Sequence, residues 1–334
     1  MGDRRYKFLQ TRQIPKVNTQ ILILKGQVSS ENCNQSLQTS TPIMRLFCLF
    51  LLPTLSLAQP WGPVGPPGTK LVYDLLQPMS GGTLGAFKAV HWTHAYNNER
   101  QQYRPWMAKQ DPNSKQITIT SKKGSDGKIY SARLESYKIW STSKSWRTKR
   151  RGYVEVRSTM PAKTHDNWRY KGSWPAIWML GTGNGAGWPK PGEIDIIEIV
   201  NGQPKLASAT HSKSRNGGNP QHPPNNGKHI NADLTRDPLI CGVEWNIHGS
   251  QIDLTFWFSW KDLGSGQWQK HHTTLVLGAW GNQDYWDFYH SFMGEGFSLL
   301  INLAQGGDMP QTQEVLVDGQ PQHMVVQSAK VYGF

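Results

Sequence analysis

"PGEIDIIEIVNG", residues 191–202, places Glu193, Asp195 and Glu198 within six positions of an otherwise apolar run. Ile194, Ile196, Ile197 and Ile199 separate and flank the acids. β-branched residues bounded by Pro-Gly and Asn-Gly predict a strand. Side chains alternate along a strand, so Glu193 and Asp195 point the same way, while Glu198, five residues beyond Glu193, falls on the other face. A β-bulge that absorbs Ile196 or Ile197 corrects the parity. All three carboxylates then share one surface, with the isoleucines packed behind.

Three neighbouring acids repel one another, and at least one is expected to keep its proton above the usual carboxylate range. Such a row suits glycosidic bond cleavage, with one carboxylate as nucleophile and another, protonated, as general acid. Two other readings compete. Calcium takes oxygen ligands, but it usually gathers them from a flexible loop with backbone carbonyls rather than from a stiff strand. The acids could also be a chance surface group.

The rest of the chain reads as strands. "KQITITSKK" (115–123), "GYVEVRSTM" (152–160), "SQIDLTFWFSW" (250–260), "GFSLLINLA" (296–304) and the closing "QHMVVQSAKVYGF" carry β-branched or aromatic residues between turn formers. Long helical periodicity is absent. Residues 181–192 and 212–228 are Gly/Pro/Asn-rich loops. The expected fold is all-β, a jelly-roll sandwich of two stacked antiparallel sheets in a single domain over residues 59–334.

Residues 44–58, "MRLFCLFLLPTLSLA", have the order of a secretory signal: a base, a short apolar stretch, and Ser56-Leu57-Ala58 as a small-x-small cleavage site. The apolar stretch is shorter than the roughly 20 residues of a bilayer span. The segment begins at an internal Met, so residues 1–43 are read as a doubtful extension, with Met44 as the native start. A secreted protein in the extracellular space or cell wall, with no membrane partner after signal removal, is the expectation.

After residue 58 the chain has 29 Lys/Arg and 21 Asp/Glu. The densest basic cluster, "KSWRTKRRG" at 144–152, reads as a solvated loop, and no nucleic-acid partner is expected. Cys241 alone of three cysteines follows residue 58, so a disulfide within 59–334 is excluded and stability must come from burial. Cys241, in "ICGVEW", reads as an inert core thiol. No Asn-x-Ser/Thr sequon follows residue 58. Fifteen tryptophans exceed the ordinary needs of a core and offer flat surfaces on which sugar rings stack.

"GYVEVRSTMP", "GSWPAIWML", "GWPKPGEIDIIEIVNG", "SATHS" and "LLINLAQGG", in this order, resemble consecutive blocks of glycoside hydrolase family 16 across roughly residues 95–334. The resemblance implies a jelly roll with an open cleft on its concave sheet and endo-acting hydrolysis of a β-linked polysaccharide with retention of configuration. It implies Glu193 as nucleophile, Glu198 as acid/base, and Asp195 as the acid that assists the nucleophile. "NNERQQY" (97–103) resembles another family block and makes Asn98 and Glu99 candidate sugar contacts. Arg133 in "SARLES" matches a cleft arginine. Trp178 is the expected stacking platform, with Trp174 on the same face and Trp188 as a further subsite wall. His211 matches a histidine that neighbours the acid/base, and Asn302 reads as scaffold rather than contact.

Two departures from the family matter. "LVYDLLQPMSGG" aligns poorly with the usual opening strand, and Gln327 in "VQSAKVY" stands where many relatives carry a calcium-binding Asp. No tightly bound calcium is therefore expected, and no other metal and no cofactor belong to the reading. The longer E-x-D-x-x-E form resembles the laminarinase branch, which implies β-1,3-glucan or mixed β-1,3(4)-glucan as the polymer partner of a monomeric enzyme. Transglycosylation, a galactan substrate and non-catalytic glucan binding remain as alternatives.

Overall fold

The computed structural model describes residues 64–77, 84–93, 97–136, 150–181, 187–213, 220–278 and 283–334. They belong to one compact unit that begins at Ala58. The expected signal segment 44–58, the extension 1–43 and most of the 144–152 cluster lie outside the described residues.

The strands form two stacked sheets, and the all-β sandwich expected from sequence is what the chain builds. The larger sheet holds ten strands. Its main path runs β15 (Trp268–Leu277), β14 (Gln251–Lys261), β13 (Leu239–His248), β8 (Arg151–Thr159), β17 (Gln322–Gly333), β5 (Ile117–Lys123), β6 (Ile129–Ser131), β3 (Gln101–Tyr103). Off this path, β1 (Lys70–Asp74) pairs with β17 and β4 (Ala108–Gln110) with β5. The smaller sheet holds seven strands in the order β12 (Lys228–His229), β11 (Gln203–His211), β10 (Glu193–Val200), β9 (Ser173–Gly181), β16 (Phe297–Gln305), β7 (Arg133–Ser136), β2 (Phe87–Ala89).

Among the described residues, strand pairing is antiparallel with one exception, the short parallel pair β3–β6. All five segments read as strands are strands, to within about two residues at each end. Of the described elements that the sequence did not predict, two show why. Strand β15 is an edge strand whose middle, with Lys270, His271 and His272, lacks alternation, as suits an unpaired edge. The short helix α1 (Gln283–His290) is too brief for its periodicity to stand out. No described helix is long and apolar enough to cross a membrane.

The core between the sheets explains why β10 is rich in isoleucine. Ile194, Ile196, Ile197 and Ile199 are all fully buried and join one cluster with Val154 and Val156 of β8, Cys241 and Val243 of β13, and Leu254 and Phe256 of β14. Each such side chain withdrawn from water contributes about 1.5–3 kcal/mol. That burial holds the carboxylate strand against the larger sheet. Burial also raises the Cys241 thiol far above its ordinary value, which keeps it unreactive, as the sequence reading had it.

Gln327 lies at the point where the β17 register against β8 shifts, between Val326 and Ser328. The hollow it lines also contains Arg157 and Lys330.

Close packing dictates one glycine in this sheet. A methyl group on Gly152 would sit 2.1 Å from Cζ2 of Trp245, which is itself 1% exposed. Gly152→Ala is expected to destabilise the protein by about 1–3 kcal/mol, as overpacking does. Urea unfolding of the two proteins checks this, and equal midpoints would contradict it.

Candidate active site

The bulge inferred from the acid spacing is present. Against β9, Asp195 pairs with Trp178 and Ile197 with Ile177, so Ile196 is the extra residue. Against β11, Asp195 pairs with Ala209 and Glu198 with Ala207, which gives the same one-residue excess. With that residue absorbed, Glu193, Asp195 and Glu198 all line one cavity of about 400 Å³ on the face of the smaller sheet away from the core.

Alternate residues of β9 form the neighbouring wall: Trp174, Ala176, Trp178 and Leu180 all line the cavity. The two tryptophans that the sequence placed on one face do share it. Trp174, 8% exposed, donates its indole N–H to Glu198 Oε1 at 2.9 Å, so its edge serves the carboxylate. Trp188, 56% exposed, donates to Glu193 Oε2 at 3.2 Å. Each of the two outer acids thus accepts one indole hydrogen bond.

Trp178 is fixed from two sides. Its N–H donates to Asn302 Oδ1 at 2.7 Å, and the Arg133 guanidinium lies 4.7 Å from its ring. The same guanidinium lies 4.8 Å from the Trp92 ring and 3.0 Å from Glu135. Arg133 is therefore a cation held between two indoles as well as a lining residue of the cavity.

Asn302 acts as scaffold, as expected, and also lines the cavity. Its Nδ2 donates to the Tyr103 hydroxyl at 3.3 Å, which donates to Glu99 Oε2 at 3.3 Å. Gln101 donates to the same Glu99 oxygen. Burial raises the Glu99 carboxyl above its ordinary value, opposed by these hydrogen bonds.

Two candidate residues stand elsewhere than expected. Asn98 does not line the main cavity; its Nδ2 donates to Asp308 at 2.8 Å, in an adjoining hollow that Glu99 also borders. Asn97 lines the main cavity instead. Both have positive φ, 54° and 56°, and that turn sends the two side chains apart. His211 sits at the Glu193 end of the row rather than beside Glu198. It is the cross-strand partner of Glu193 on β11, with Nε2 3.3 Å from Asp195 Oδ2 and 3.9 Å from Glu193 Oε1. Trp188 covers it, with ring centroids 5.7 Å apart.

The sequence reading missed Trp92, Tyr103, Ala176, Leu180 and Asn97 as lining residues. Strand alternation from Trp174 would have found Ala176 and Leu180, and "NNERQQY" contained Asn97 and Tyr103. It also missed the clasp that α1 makes on the Glu193–His211 pair. Asp284 accepts from the Ser212 hydroxyl and Asp287 from the Lys213 backbone N–H at 3.0 Å, just past His211. Ser291, just after the helix, donates to the carbonyl of Pro191. Phe288 packs on Gly192, whose φ of 78° and lack of a side chain allow the approach. Both strand ends are thereby tied to one helix.

All three row acids are shifted toward the protonated form. Burial is the largest cause for each; for Glu193 the charge of Asp195 adds, for Asp195 that of Glu198, and for Glu198 that of Glu193. His211 opposes the shift at all three acids, and the Trp188 and Trp174 hydrogen bonds oppose it at Glu193 and Glu198. The row can therefore hold a proton near neutrality. Glu193, Asp195 and His211 also present three possible metal-ligand atoms within 4.8 Å of one another.

The chain is similar to several known proteins. Residues 105–243 match the family model described as the XgeA-like catalytic domain of glycoside hydrolase family 16. The beta-glucanase of Rhodothermus marinus is 28% identical over 188 residues, which cover 54% of this chain and 57% of that protein. The glucan endo-1,3-beta-glucosidase of Cryptopygus antarcticus is 25% identical over 220 residues, covering 64% and 71%. The chain therefore spans less than two thirds of the first of these relatives. Among solved structures, the laminarinase from Flavobacterium sp. UMI-01 superposes with a TM-score of 0.55 at 23% identity, covering 79% of this chain and 100% of that one.

The raised acids have a measurable cost. A carboxyl whose native value lies above its unfolded one holds more protons in the native state, so stability is full below the ordinary value of 4.5 and falls as pH rises toward the native value. Glu193→Gln is expected to melt above the parent at pH 8, by roughly 2–4 °C per kcal/mol recovered, and level with it at pH 4. A difference that does not change with pH would contradict the assignment.

Proposed function

From the match of residues 105–243 to a family 16 catalytic-domain model, we propose that this protein is a secreted, retaining endo-β-glucanase acting on β-1,3-glucan or mixed β-1,3(4)-glucan. One observation carries the reading: Glu193 and Glu198 face one cleft from a single bulged strand, each held by an indole N–H. The charge of Glu193 is among the causes that raise the Glu198 carboxyl. Retention needs two carboxyl groups at about 5–5.5 Å, and the bulge brings both of these onto one face of the strand.

In the first step Glu193 Oε attacks the anomeric carbon while Glu198, protonated, gives its proton to the departing glycosidic oxygen. The glycosidic C–O bond breaks as the glycosyl–Glu193 ester forms. In the second step Glu198, now a carboxylate, takes a proton from water, and the water oxygen displaces Glu193 from the anomeric carbon. Each step inverts that carbon, so the product retains configuration. Glu193 must be charged to attack; burial and Asp195 work against that form, and the Trp188 N–H, His211 and Arg133 work toward it. Glu198 must start protonated, which its burial favours.

Asp195, buried between them and 3.3 Å from His211, acts as a relay for charge along the row. Trp178, locked by Arg133 and Asn302, offers the sugar a rigid ring surface. The polymer class follows from the printed names of the relatives, a beta-glucanase and a glucan endo-1,3-beta-glucosidase, and from the long acid spacing. The exposed Trp188 at the cleft edge suits binding within a long chain rather than at its tip.

Two measurements test the reading. On soluble β-1,3-glucan, the parent should release short oligosaccharides whose new ends appear first as the β-anomer by NMR. Glu193→Gln should release none, and Glu198→Gln should be slower by roughly 10²–10⁴-fold. Undiminished turnover by Glu193→Gln, or products of inverted configuration, would overturn the mechanism. Longer chains among the products would turn the reading to transglycosylation. The secreted monomer should begin at Gln59 by mass spectrometry, and a secreted peptide from residues 1–43 would refute that boundary.

A further inference from the structure

Three of the side chains at the Glu193 end of the row are arranged for more than acid–base work. His211 Nε2 stands 3.3 Å from Asp195 Oδ2 and 3.9 Å from Glu193 Oε1. Asp195 is 5% exposed, and its Oδ2 has no well-aligned hydrogen-bond donor. Glu193 gives its other oxygen, Oε2, to Trp188, which leaves Oε1 turned toward His211. One imidazole nitrogen and two carboxylate oxygens thus converge from β10 and β11 at the edge of an open cleft.

We propose that Glu193, Asp195 and His211 form a binding site for one divalent transition cation of the zinc class, which excludes substrate while it is bound. The proposal rests on Glu193 as the nucleophile for its consequence, but not for the binding itself. Zinc–nitrogen and zinc–oxygen bonds of about 2.0–2.2 Å put neighbouring tetrahedral ligands about 3.3–3.5 Å apart. The His211–Asp195 spacing already has that value. The His211–Glu193 spacing of 3.9 Å and the Glu193–Asp195 spacing, which lies within 4.8 Å, close to it by rotation of the flexible glutamate.

The donor set selects the metal. Calcium takes 6–8 oxygens and magnesium a near-ideal octahedron, neither of which an imidazole and two carboxylates at a cleft edge provide. Imidazole suits zinc and copper. Glu193 and His211 are only partly covered, with 14% and 19% of their side chains exposed, so an ion can enter from the cleft and keep water as its fourth ligand. An ion on Glu193 Oε1 occupies the electron pair that would attack the sugar. Inhibition is then competitive and reversed by a chelator, with no bond made or broken in the protein.

Calorimetric titration of the untagged full chain with zinc chloride at pH 7.5 tests the site without reference to turnover. The expected result is one ion per chain, with affinity at least about tenfold weaker in His211→Asn and in Asp195→Asn, the scale on which metal-site residues act. Cobalt(II) absorption guards against variants that fail to fold. The parent should give the visible bands of a low-coordinate site, and His211→Asn, with an unchanged melting temperature, should lose them. No bound ion, or equal binding by parent and variants, would overturn the proposal; equal binding would move the ion to another pair such as His248 and Asp253. Zinc binding without any glucanase activity would leave this site standing and remove the proposed function. Glucanase activity indifferent to zinc would do the reverse.

Discussion

A single inserted residue in one strand governs the arrangement of the site. Ile196 is paired by neither neighbour in the regular register, and its side chain goes to the core with those of Ile194, Ile197 and Ile199. The hydrophobic effect holds the bulge in place, because straightening the strand would bury Glu198 and expose an isoleucine instead. Burying a carboxylate without partners is far more costly than the local loss of a ladder hydrogen bond. The acid row is thus a consequence of how the apolar face must pack.

Packing also sets the chemistry of the acids. The walls that exclude water from the row push all three carboxyls toward their protonated forms. The same walls supply the groups that limit that push: two indole N–H donors, one imidazole and one guanidinium. Tryptophan therefore plays two parts in this cleft. Trp174 and Trp188 are hydrogen-bond donors to carboxylates, while Trp178 is a ring surface locked by Arg133 and Asn302. The excess of indoles over the needs of a core is explained in part by the first role, which sugar stacking alone would not suggest.

Support for the row comes from beyond the smaller sheet. Helix α1 ties the strand ends that carry Glu193 and His211. The chain of hydrogen bonds from Trp178 through Asn302 and Tyr103 to Glu99 joins the middle of the sheet to the residues before β3. Such linked buried groups hold a catalytic constellation more firmly than isolated contacts do, because each member restricts the rotamer of the next.

The sequence by itself determined the all-β class, the five long strands and the bulged acid row, because these rest on local periodicity and on the parity of 193, 195 and 198. The block order determined the likeness to glycoside hydrolase family 16. Tertiary structure alone decided which end of the row His211 serves, since that depends on the register Glu193–His211 between β10 and β11. It decided that Asn97 rather than Asn98 reaches the cleft, because two successive positive φ angles reverse the expected direction. It brought Trp92 to Arg133 across the fold and set Phe288 of α1 against Gly192, at the start of the carboxylate strand. Local pattern sets which face a residue takes on its own strand; which residues meet across strands depends on register and on the path of turns, which only the folded chain supplies.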